Sequence, residues 1–233
     1  MPFAGRERAI RACGVEEVVA LEFTPALAAM EPEEFIREHI KEGPVFCGAG
    51  ARFGRGGRGD AALLRAAGLE VSVVPFAAWR GGRISSTRIR AAVEAGAMAD
   101  ANAMLGRAWR MPGRCAPGKG FGREIGYPTI NMVPEAGIVS PRRGVYAVEV
   151  GGRRAVANWG VAPTMGDCAW RDCVLEVHML EGVPPEPGPD GALDVGFIRF
   201  LREERAFESV AALRAQIAAD CEAARLDGME AAP

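Results

Sequence analysis

The strongest constraint on the fold is a change of sequence pattern near residue 106. Before this point, short apolar runs alternate with segments of helical spacing; the runs are Val18–Leu21, Val45–Cys47 and Val71–Pro75. Strands that alternate with helices are typical of a parallel, doubly wound sheet. Beyond it, β-rich runs follow one another between glycines and prolines, which is typical of a small sandwich or barrel. The sequence therefore predicts an α/β region over residues 1–105, a β domain closed by one helix over 106–226, and a tail over 227–233.

The closing helix has a clear start and one apolar side. Ser209 is the predicted N-cap, because its hydroxyl can accept a hydrogen bond from a free backbone N–H group. Val210, Leu213 and Ile217 follow at helical spacing and predict the buried stripe.

The composition excludes several classes of protein. Apolar residues make up 49% of the 233 residues and charged residues 25%, which excludes a disordered or fibrous chain. The 28 basic and 30 acidic side chains nearly cancel and form no long basic run. We therefore expect neither a nucleic-acid partner nor a membrane-surface role. Because the sequence has no apolar stretch of about 18 residues, we also expect no membrane-spanning segment.

The cysteines and histidines argue against a zinc site. Six cysteines are scattered without a C-x-x-C pair, and only two histidines accompany them. Zinc needs about four clustered nitrogen or sulfur ligands. Residues 1–14 are charged and lack the apolar core of a signal peptide. We therefore expect a soluble, reduced, cytoplasmic protein.

A glycine-rich segment over Gly113–Gly120 nearly matches the phosphate loop GxxxxGK(S/T). The match fails at Gly120, which has no hydroxyl to bind magnesium, and the glycines and proline that follow do not favour a helix. A glycine-rich hairpin whose backbone N–H groups surround a phosphate stays open, because such a nest needs no phosphate-loop motif.

The segment Gly126–Asn131 places two polar side chains on one side of an extended chain. Pro128 fixes its own φ angle, and Thr129 and Asn131 then project together at period two. A hydroxyl and an amide oxygen are hard ligands suited to Mg²⁺. The alternative is a strand entry with two solvent-facing polar residues, and the pattern alone favours that alternative.

The segment Val174–Leu180 alternates between apolar and polar positions. Glu176 and His178 share one face, opposite the face of Leu175, Val177 and Met179. If Glu176 faces a cleft, it is a candidate general base for a hydroxyl. If that face is wet, Glu176 is only a solvated carboxylate, which the pattern alone favours.

The segment Ile84–Arg90 brings hydroxyl and guanidinium groups to a predicted helix N-terminus, where Ser85, Ser86 and Thr87 offer capping hydroxyls. The helix dipole, the free N–H groups and the two arginines together favour a phosphate. A well-capped surface helix is an equally good interpretation of the same residues.

Taken in order, these segments resemble the bacterial bifunctional riboflavin kinase / FAD synthetase family. Each string is weak alone, but the ordered series from Leu105 to Arg225 is highly specific. The kinase strings are Leu105–Arg107, Gly126–Asn131, Gly144–Val148, Ala157–Thr164, Leu175–His178, Phe207–Ser209 and Gln216–Ile217. Tyr127 departs mildly from the family pattern, in which phenylalanine is commoner.

For the kinase part, the resemblance implies a six-stranded antiparallel barrel with a C-terminal helix. Its implied activity is transfer of the ATP γ-phosphate to the 5′-hydroxyl of riboflavin, which gives FMN and requires Mg²⁺. By the same resemblance, Thr129 and Asn131 hold Mg²⁺ and the nucleotide phosphates, and Glu176 accepts the proton of the ribityl hydroxyl. The flap over the phosphates contains Gly118, Gly120 and Gly122.

The N-terminal part resembles the second half of the family's adenylyltransferase domain, an α/β nucleotidyltransferase fold. The matching strings are Phe23–Pro25, Pro32–Phe35, Gly48, Arg52–Gly54 and Ile84–Arg90. Gly48, Ser86, Thr87 and Arg90 correspond to part of its nucleotide site. The HxGH segment that completes this site is absent, because the only histidines are His39 and His178.

We therefore expect an incomplete nucleotidyltransferase part that does not make FAD by itself. The alternatives are a bifunctional enzyme of which this chain is a fragment, FAD synthesis with histidines supplied by another chain, and a non-catalytic flavin-binding remnant. The implied partners are riboflavin, FMN and ATP. Self-association through the incomplete N-terminal sheet is a further expectation.

Overall fold

The computed structural model describes residues 3–40, 43–118, 120–161 and 173–226. The chain forms two compact units, Glu7–Ile84 and a second made of Met1–Arg6 with Ser85–Pro233. The predicted tail over 227–233 and the string 162–164 lie outside the described residues. The compact units meet between Ile84 and Ser85, whereas the sequence pattern changes near residue 106. The domain boundary at residue 106 stays a prediction.

The N-terminal region has the α/β character that its pattern predicts. Its elements are α1 (Phe3–Arg11), α2 (Pro25–Ala29), α3 (Pro32–His39), β1 (Val45–Gly48), a 3-10 turn (Arg55–Gly57), α4 (Ala61–Ala66), β2 (Val71–Val74), β3 (Ala78–Trp79) and β4 (Gly82–Arg83). Strands β1 and β2 pair in parallel, with Val45 opposite Val71. Asp60 caps α4 by accepting hydrogen bonds from the backbone N–H groups of Ala62 and Leu63.

The strand predicted over Val18–Leu21 is wrong. This run joins none of the sheets among the described residues, and Val19 and Leu21 are 65% and 44% exposed. An apolar run becomes a strand only where a neighbouring strand pairs with its backbone groups, and no described strand does so here.

The second unit is a closed barrel with helices around it. Its elements are α5 (Ser86–Glu94), α6 (Met98–Leu105), β5 (Trp109–Ala116), α7 (Phe121–Glu124), β6 (Ile130–Pro134), β7 (Gly144–Val150), β8 (Arg153–Val161), β9 (Cys173–Met179), a 3-10 turn (Pro189–Gly191), β10 (Ala192–Arg202) and α8 (Val210–Leu226). The barrel order is β10-β5-β6-β9-β8-β7, and every neighbouring pair is antiparallel. This confirms the expected six-stranded antiparallel barrel with a C-terminal helix.

Alternation along the strands fills the barrel interior. The largest buried side chains there include Trp159, Tyr146, Phe197, Met111, Met132 and Leu175. Residues between these inward positions face outward, as the period of two requires. The barrel is therefore a packed core, and polar side chains of its strands lie on its outer surface.

Helix α8 covers part of that outer surface. Val145, Ala147 and Val156 pack there against Cys221 and Ala224 of the helix. Ser209 caps α8 as predicted, by accepting a hydrogen bond from the N–H group of Ala212 at 3.1 Å. The predicted apolar stripe is only partly correct. Ile217 packs in this cluster, whereas Val210 stays 50% exposed and the buried face continues through Cys221 and Ala224.

The described residues offer neither a membrane-spanning helix nor a cluster of metal-ligand side chains. None of their helices has the length and apolar character needed to cross a membrane. Nor do they contain a group of three or more histidine, cysteine, aspartate or glutamate side chains arranged to hold a metal ion.

Candidate active site

Three polar residues form a row across neighbouring strands on the outside of the barrel. Asn131 of β6 is the register partner of Glu176 of β9, and Glu176 is the partner of Asn158 of β8. Residues directly opposite each other in antiparallel strands project from the same face with Cβ atoms about 5 Å apart. Their neighbours Leu175 and Val177 are fully buried inside the barrel. The face predicted for Glu176 from alternation is thereby confirmed.

The glycine-rich flap lies against the predicted ligand residues. A Cβ atom on Gly118 would lie 1.7 Å from the side-chain nitrogen of Asn131. On Gly122 it would lie 2.4 Å from the carbonyl oxygen of Tyr127 and 3.2 Å from Oγ1 of Thr129. At Gly122 only glycine fits, because the Tyr127 carbonyl oxygen belongs to the backbone and real Cβ atoms do not come within 3 Å of such an atom, whereas a Cβ atom on Gly118 would displace the Asn131 side chain. The segment that starts at Gly113 therefore returns over the start of β6.

Gly120 has a different position in the same segment. It precedes α7 with a φ of +79°, and a Cβ atom there would meet nothing within 4 Å. Among the predicted flap glycines, Gly118 and Gly122 thus touch Asn131 and Thr129, whereas Gly120 shapes the turn into α7. Lys119 lies outside the described residues.

Thr129 sits at the entry to β6 and is held on two sides. The backbone N–H group of Tyr127 donates to the Gly122 carbonyl at 2.7 Å, which ties the segment to α7. On the other side, Nδ1 of His178 lies 2.9 Å from the carbonyl oxygen of Pro128. The structure therefore brings Thr129, Asn131, Glu176 and the flap to one outer corner of the barrel.

Glu204 is a carboxylate of this corner that the sequence patterns did not indicate. It follows β10, and its Oε1 accepts a hydrogen bond from Nδ2 of Asn158 at 3.1 Å. A Cβ atom on Gly160 would lie 1.9 Å from the same oxygen, so the carboxylate rests directly on the Gly160 backbone. The other side-chain atom of Asn158, Oδ1, is buried and accepts no hydrogen bond within the described chain.

Hydrogen bonds of Arg202 hold the backbone just before Glu204. Arg202 donates to both carboxylate oxygens of Asp220, which is 5% exposed, and its Nη1 donates to the Glu203 carbonyl oxygen at 2.9 Å. Glu203 pairs instead with Arg142. The adjacent glutamates therefore point to different partners, and only Glu204 contacts the row of polar residues.

Glu176 is electrostatically unusual. Glu176 is an exposed residue of the outer face, but the side chains packed around it remove part of its hydration. This desolvation, with a smaller contribution from the like charge of Glu204, raises the pKa of Glu176 above its usual value. A carboxylate with a raised pKa is a better proton acceptor than an ordinary one.

The predicted residues of the N-terminal nucleotide site fall into the two separate units. Gly48 lines a small depression of about 130 Å³ together with Arg52 and Asp60. Nη1 of Arg52 lies 2.8 Å from Oδ2 of Asp60. Hydrogen bonds from the Leu63 N–H group and from Arg52 hold the pKa of Asp60 below its usual value.

Ser86, Thr87 and Arg90 belong to α5 in the other unit. The residue that caps this helix is Ser85, which accepts a hydrogen bond from the N–H group of Arg88 at 3.3 Å. Gly48 with its neighbours and the start of α5 are therefore each described within their own unit.

Two family models match this chain. The one described as riboflavin kinase covers residues 105–226, which include the barrel and the polar row on its outer face. The one described as FAD synthetase covers residues 1–88.

Relatives and a solved structure agree with these matches. The "bifunctional riboflavin kinase/FMN adenylyltransferase" of Escherichia coli (strain K12) is 36% identical over 226 residues, covering 91% of this chain and 70% of its own length. The relative of the same name from Pseudomonas fluorescens is 35% identical with the same coverage. A crystal structure described as a macrolide-efflux protein from Streptococcus pneumoniae superposes with a TM-score of 0.85. It is 31% identical over 97% of this chain and 75% of its own. The chain belongs to the bifunctional riboflavin kinase/FMN adenylyltransferase family, and its riboflavin kinase region is the barrel with α8.

Proposed function

We propose that this chain is a riboflavin kinase, which transfers the γ-phosphate of ATP to the 5′-hydroxyl of riboflavin. The observation that carries the proposal is the row of polar residues on the outside of the barrel, where Glu176 of β9 is the register partner of Asn131 of β6. The flap glycines Gly118 and Gly122 contact Asn131 and the neighbouring Thr129. These positions support a proton acceptor beside ligand residues that a glycine-rich flap contacts, which are the parts that phosphoryl transfer needs.

In the proposed reaction, the ribityl hydroxyl oxygen forms a bond to the γ-phosphorus while the bond from that phosphorus to the bridging oxygen of ADP breaks. Glu176 accepts the hydroxyl proton, so that FMN, ADP and one proton are the products. Its raised pKa suits this role, since a more basic carboxylate takes the proton more readily. The remaining residues orient the two substrates, because most of the catalysis in phosphoryl transfer is positioning and charge neutralisation.

The donor atoms at this corner fit Mg²⁺. A threonine hydroxyl and an asparagine amide oxygen are the hard oxygen ligands that Mg²⁺ prefers. Such an ion is usually completed by substrate phosphates and water, which suits a site without a carboxylate cage among the described residues. We propose that Thr129 and Asn131 hold the ion with the nucleotide. When bound, it neutralises charge on the transferring phosphoryl group.

The test of this function is direct product analysis. Purified protein with ATP, Mg²⁺ and riboflavin is expected to form FMN and ADP in equal amounts, and EDTA is expected to stop the reaction. Asn131→Ala removes an oxygen ligand, so it should raise the KM for Mg·ATP. Val133→Ala, on the same outward face of β6 and already 44% exposed, is the matched control and should behave as the parent. Folded parent protein that forms no FMN would refute the kinase proposal.

The charge of Glu204 gives a pH-dependent prediction. Its carboxylate raises the pKa of Glu176, so Glu204→Gln should lower that pKa. Catalysis requires the deprotonated base, and kcat therefore falls as the pH drops through the pKa of Glu176. The acid limb of the kcat–pH profile should move to lower pH in Glu204→Gln, measured at saturating Mg·ATP. Glu203→Gln is the control, because it removes a charge at the adjacent residue, whose side chain pairs with Arg142. It should leave the acid limb of the kcat–pH profile unchanged. An unmoved acid limb in both variants would contradict the coupling.

A second candidate activity is adenylylation of FMN, which the FAD synthetase match over residues 1–88 favours. We do not propose it for these 233 residues, because neither of their histidines lies in an HxGH segment.

We further propose a cytoplasmic location, since the described cysteines form no disulfide with one another.

A further inference from the structure

The strand that carries Glu176 presents a second polar side chain on the same face. His178 lies two residues beyond Glu176, between the inward positions of Val177 and Met179. The register pairs Val177 with Ile130, so one further antiparallel step places His178 opposite Thr129. One strand therefore brings the proposed base to Asn131 and a histidine to Thr129.

The histidine is hydrogen-bonded to the chain just before Thr129. Its Nδ1 lies 2.9 Å from the carbonyl oxygen of Pro128. A carbonyl oxygen only accepts, so the contact requires the proton on Nδ1 and makes the histidine the donor. This carbonyl belongs to the peptide group that joins Pro128 to Thr129. The bond therefore fixes the orientation of the peptide that leads into Thr129.

The imidazole ring is itself confined. The Tyr127 ring packs edge-on against it, with centroids 5.2 Å apart and planes at 74°. The Tyr127 hydroxyl lies 3.5 Å from the carbonyl oxygen of Arg214 on α8. The histidine consequently links the Thr129 segment to the rigid wall of the barrel and, through Tyr127, to the closing helix.

As a proposed ligand residue, Thr129 needs a well-defined position. On its flap side Thr129 faces Gly122, where an added Cβ atom would lie 3.2 Å from Oγ1 of Thr129. A ligand group must be held within about half an ångström of its productive position to function well. A hydrogen bond from the opposite strand supplies that restraint.

We propose that His178 is a positioning residue of the kinase centre, which holds the Pro128–Thr129 peptide so that Thr129 meets the magnesium–nucleotide. The assignment rests on the proposed function for its meaning in catalysis. The hydrogen bond, the register position opposite Thr129 and the confinement of the ring carry it. This role explains the E-x-H spacing of β9. Two residues that project from the same face of one strand are then the proposed base, Glu176, and the histidine that holds the segment of the ligand residue Thr129.

The test compares substitutions that keep and remove the donor. In asparagine the side-chain nitrogen occupies nearly the place of Nδ1, whereas leucine fills similar space without a donor. His178→Leu should weaken Mg·ADP binding by about threefold to tenfold in calorimetric titration, the effect expected for one neutral hydrogen bond. His178→Asn should stay within about twofold of the parent. In kinetics, the KM for Mg·ATP should rise in His178→Leu while the Kd for riboflavin, measured by flavin fluorescence, stays unchanged.

His39 supplies the matched control, since it is the other histidine of the chain and packs on Phe35 in the N-terminal unit. His39→Leu should leave Mg·ADP binding unchanged. Parent-like binding by His178→Leu, or equal losses in His178→Leu and His178→Asn, would overturn the proposal. If His178→Leu does not fold, His178→Gln replaces it in the comparison. The side-chain nitrogen of glutamine corresponds to Nε2, so His178→Gln should bind Mg·ADP more weakly than His178→Asn. Tighter Mg·ADP binding by His178→Gln than by His178→Asn would refute the role. Because nucleotide binding is measured without riboflavin, a parent that forms no FMN would refute the kinase function and leave this comparison valid.

Discussion

Glu176→Gln is expected to lower kcat for FMN formation by roughly 10²–10⁴-fold. The substitution keeps the size of the side chain and its outward position on β9, but it removes the group that accepts the hydroxyl proton. The KM values for riboflavin and Mg·ATP should change far less, because Thr129, Asn131 and the flap remain in place. Steady-state kinetics with both substrates varied, together with thermal unfolding of each variant, measure the effect.

The matched control for this experiment is Glu181→Gln. Glu181 lies just beyond β9 and is exposed, so its substitution removes the same charge without touching the polar row. It should turn over as the parent does. If Glu176→Gln also turned over like the parent, Glu176 would have no role as general base and would be a strand residue only.

The second large effect concerns FAD. A protein of these 233 residues is expected to form no measurable FAD from FMN, ATP and Mg²⁺. Adenylyl transfer requires the α-phosphate to be held while negative charge develops on it, and each missing electrostatic contact costs on the order of 10²–10³-fold. Ser86, Thr87 and Arg90 are present, but the sequence contains no HxGH segment to complement them. In the N-terminal unit, Arg52 is engaged with Asp60.

The assay follows FAD and pyrophosphate in a preparation free of any host synthetase. The internal control is the kinase reaction in the same preparation, since formation of FMN from riboflavin shows that the protein is folded and active. Nucleotide binding alone does not decide the matter, because arginine side chains attract ATP without catalysis. Sustained release of pyrophosphate with equal formation of FAD would show that residues other than an HxGH pair hold the phosphates.

Much of the barrel could be predicted from local pattern. A period of two predicts which side of a strand each residue occupies, and it correctly separated Glu176 and His178 from Leu175, Val177 and Met179. Capping chemistry predicted the start of α8 at Ser209. The same logic failed at Val18–Leu21, because an apolar run contains no information about whether a partner strand lies beside it.

Long-range contacts of the site had no such local signal. Asn158 and Glu204 are 46 residues apart in the chain, yet they share a hydrogen bond. Nothing in the sequence near Glu204 distinguishes it from Glu203, which points to Arg142 instead. The difference arises because Arg202 is clamped to Asp220 of α8 and holds the Glu203 carbonyl, so that the next side chain is directed onto Gly160.

The sequence by itself determined the kind of fold, the face that each residue of β9 occupies and the ordered strings that resemble the kinase family, because these depend on neighbours in the chain. Only the tertiary structure decided that Asn131, Glu176 and Asn158 stand in one row. Strand register fixes that row, and register depends on how the whole barrel closes. The closed barrel also sets the hydrogen bond from His178 to the Pro128 carbonyl and the contact of the flap glycines with Thr129 and Asn131. His178 and Pro128 are 50 residues apart in the chain, and local spacing does not encode a contact over that separation.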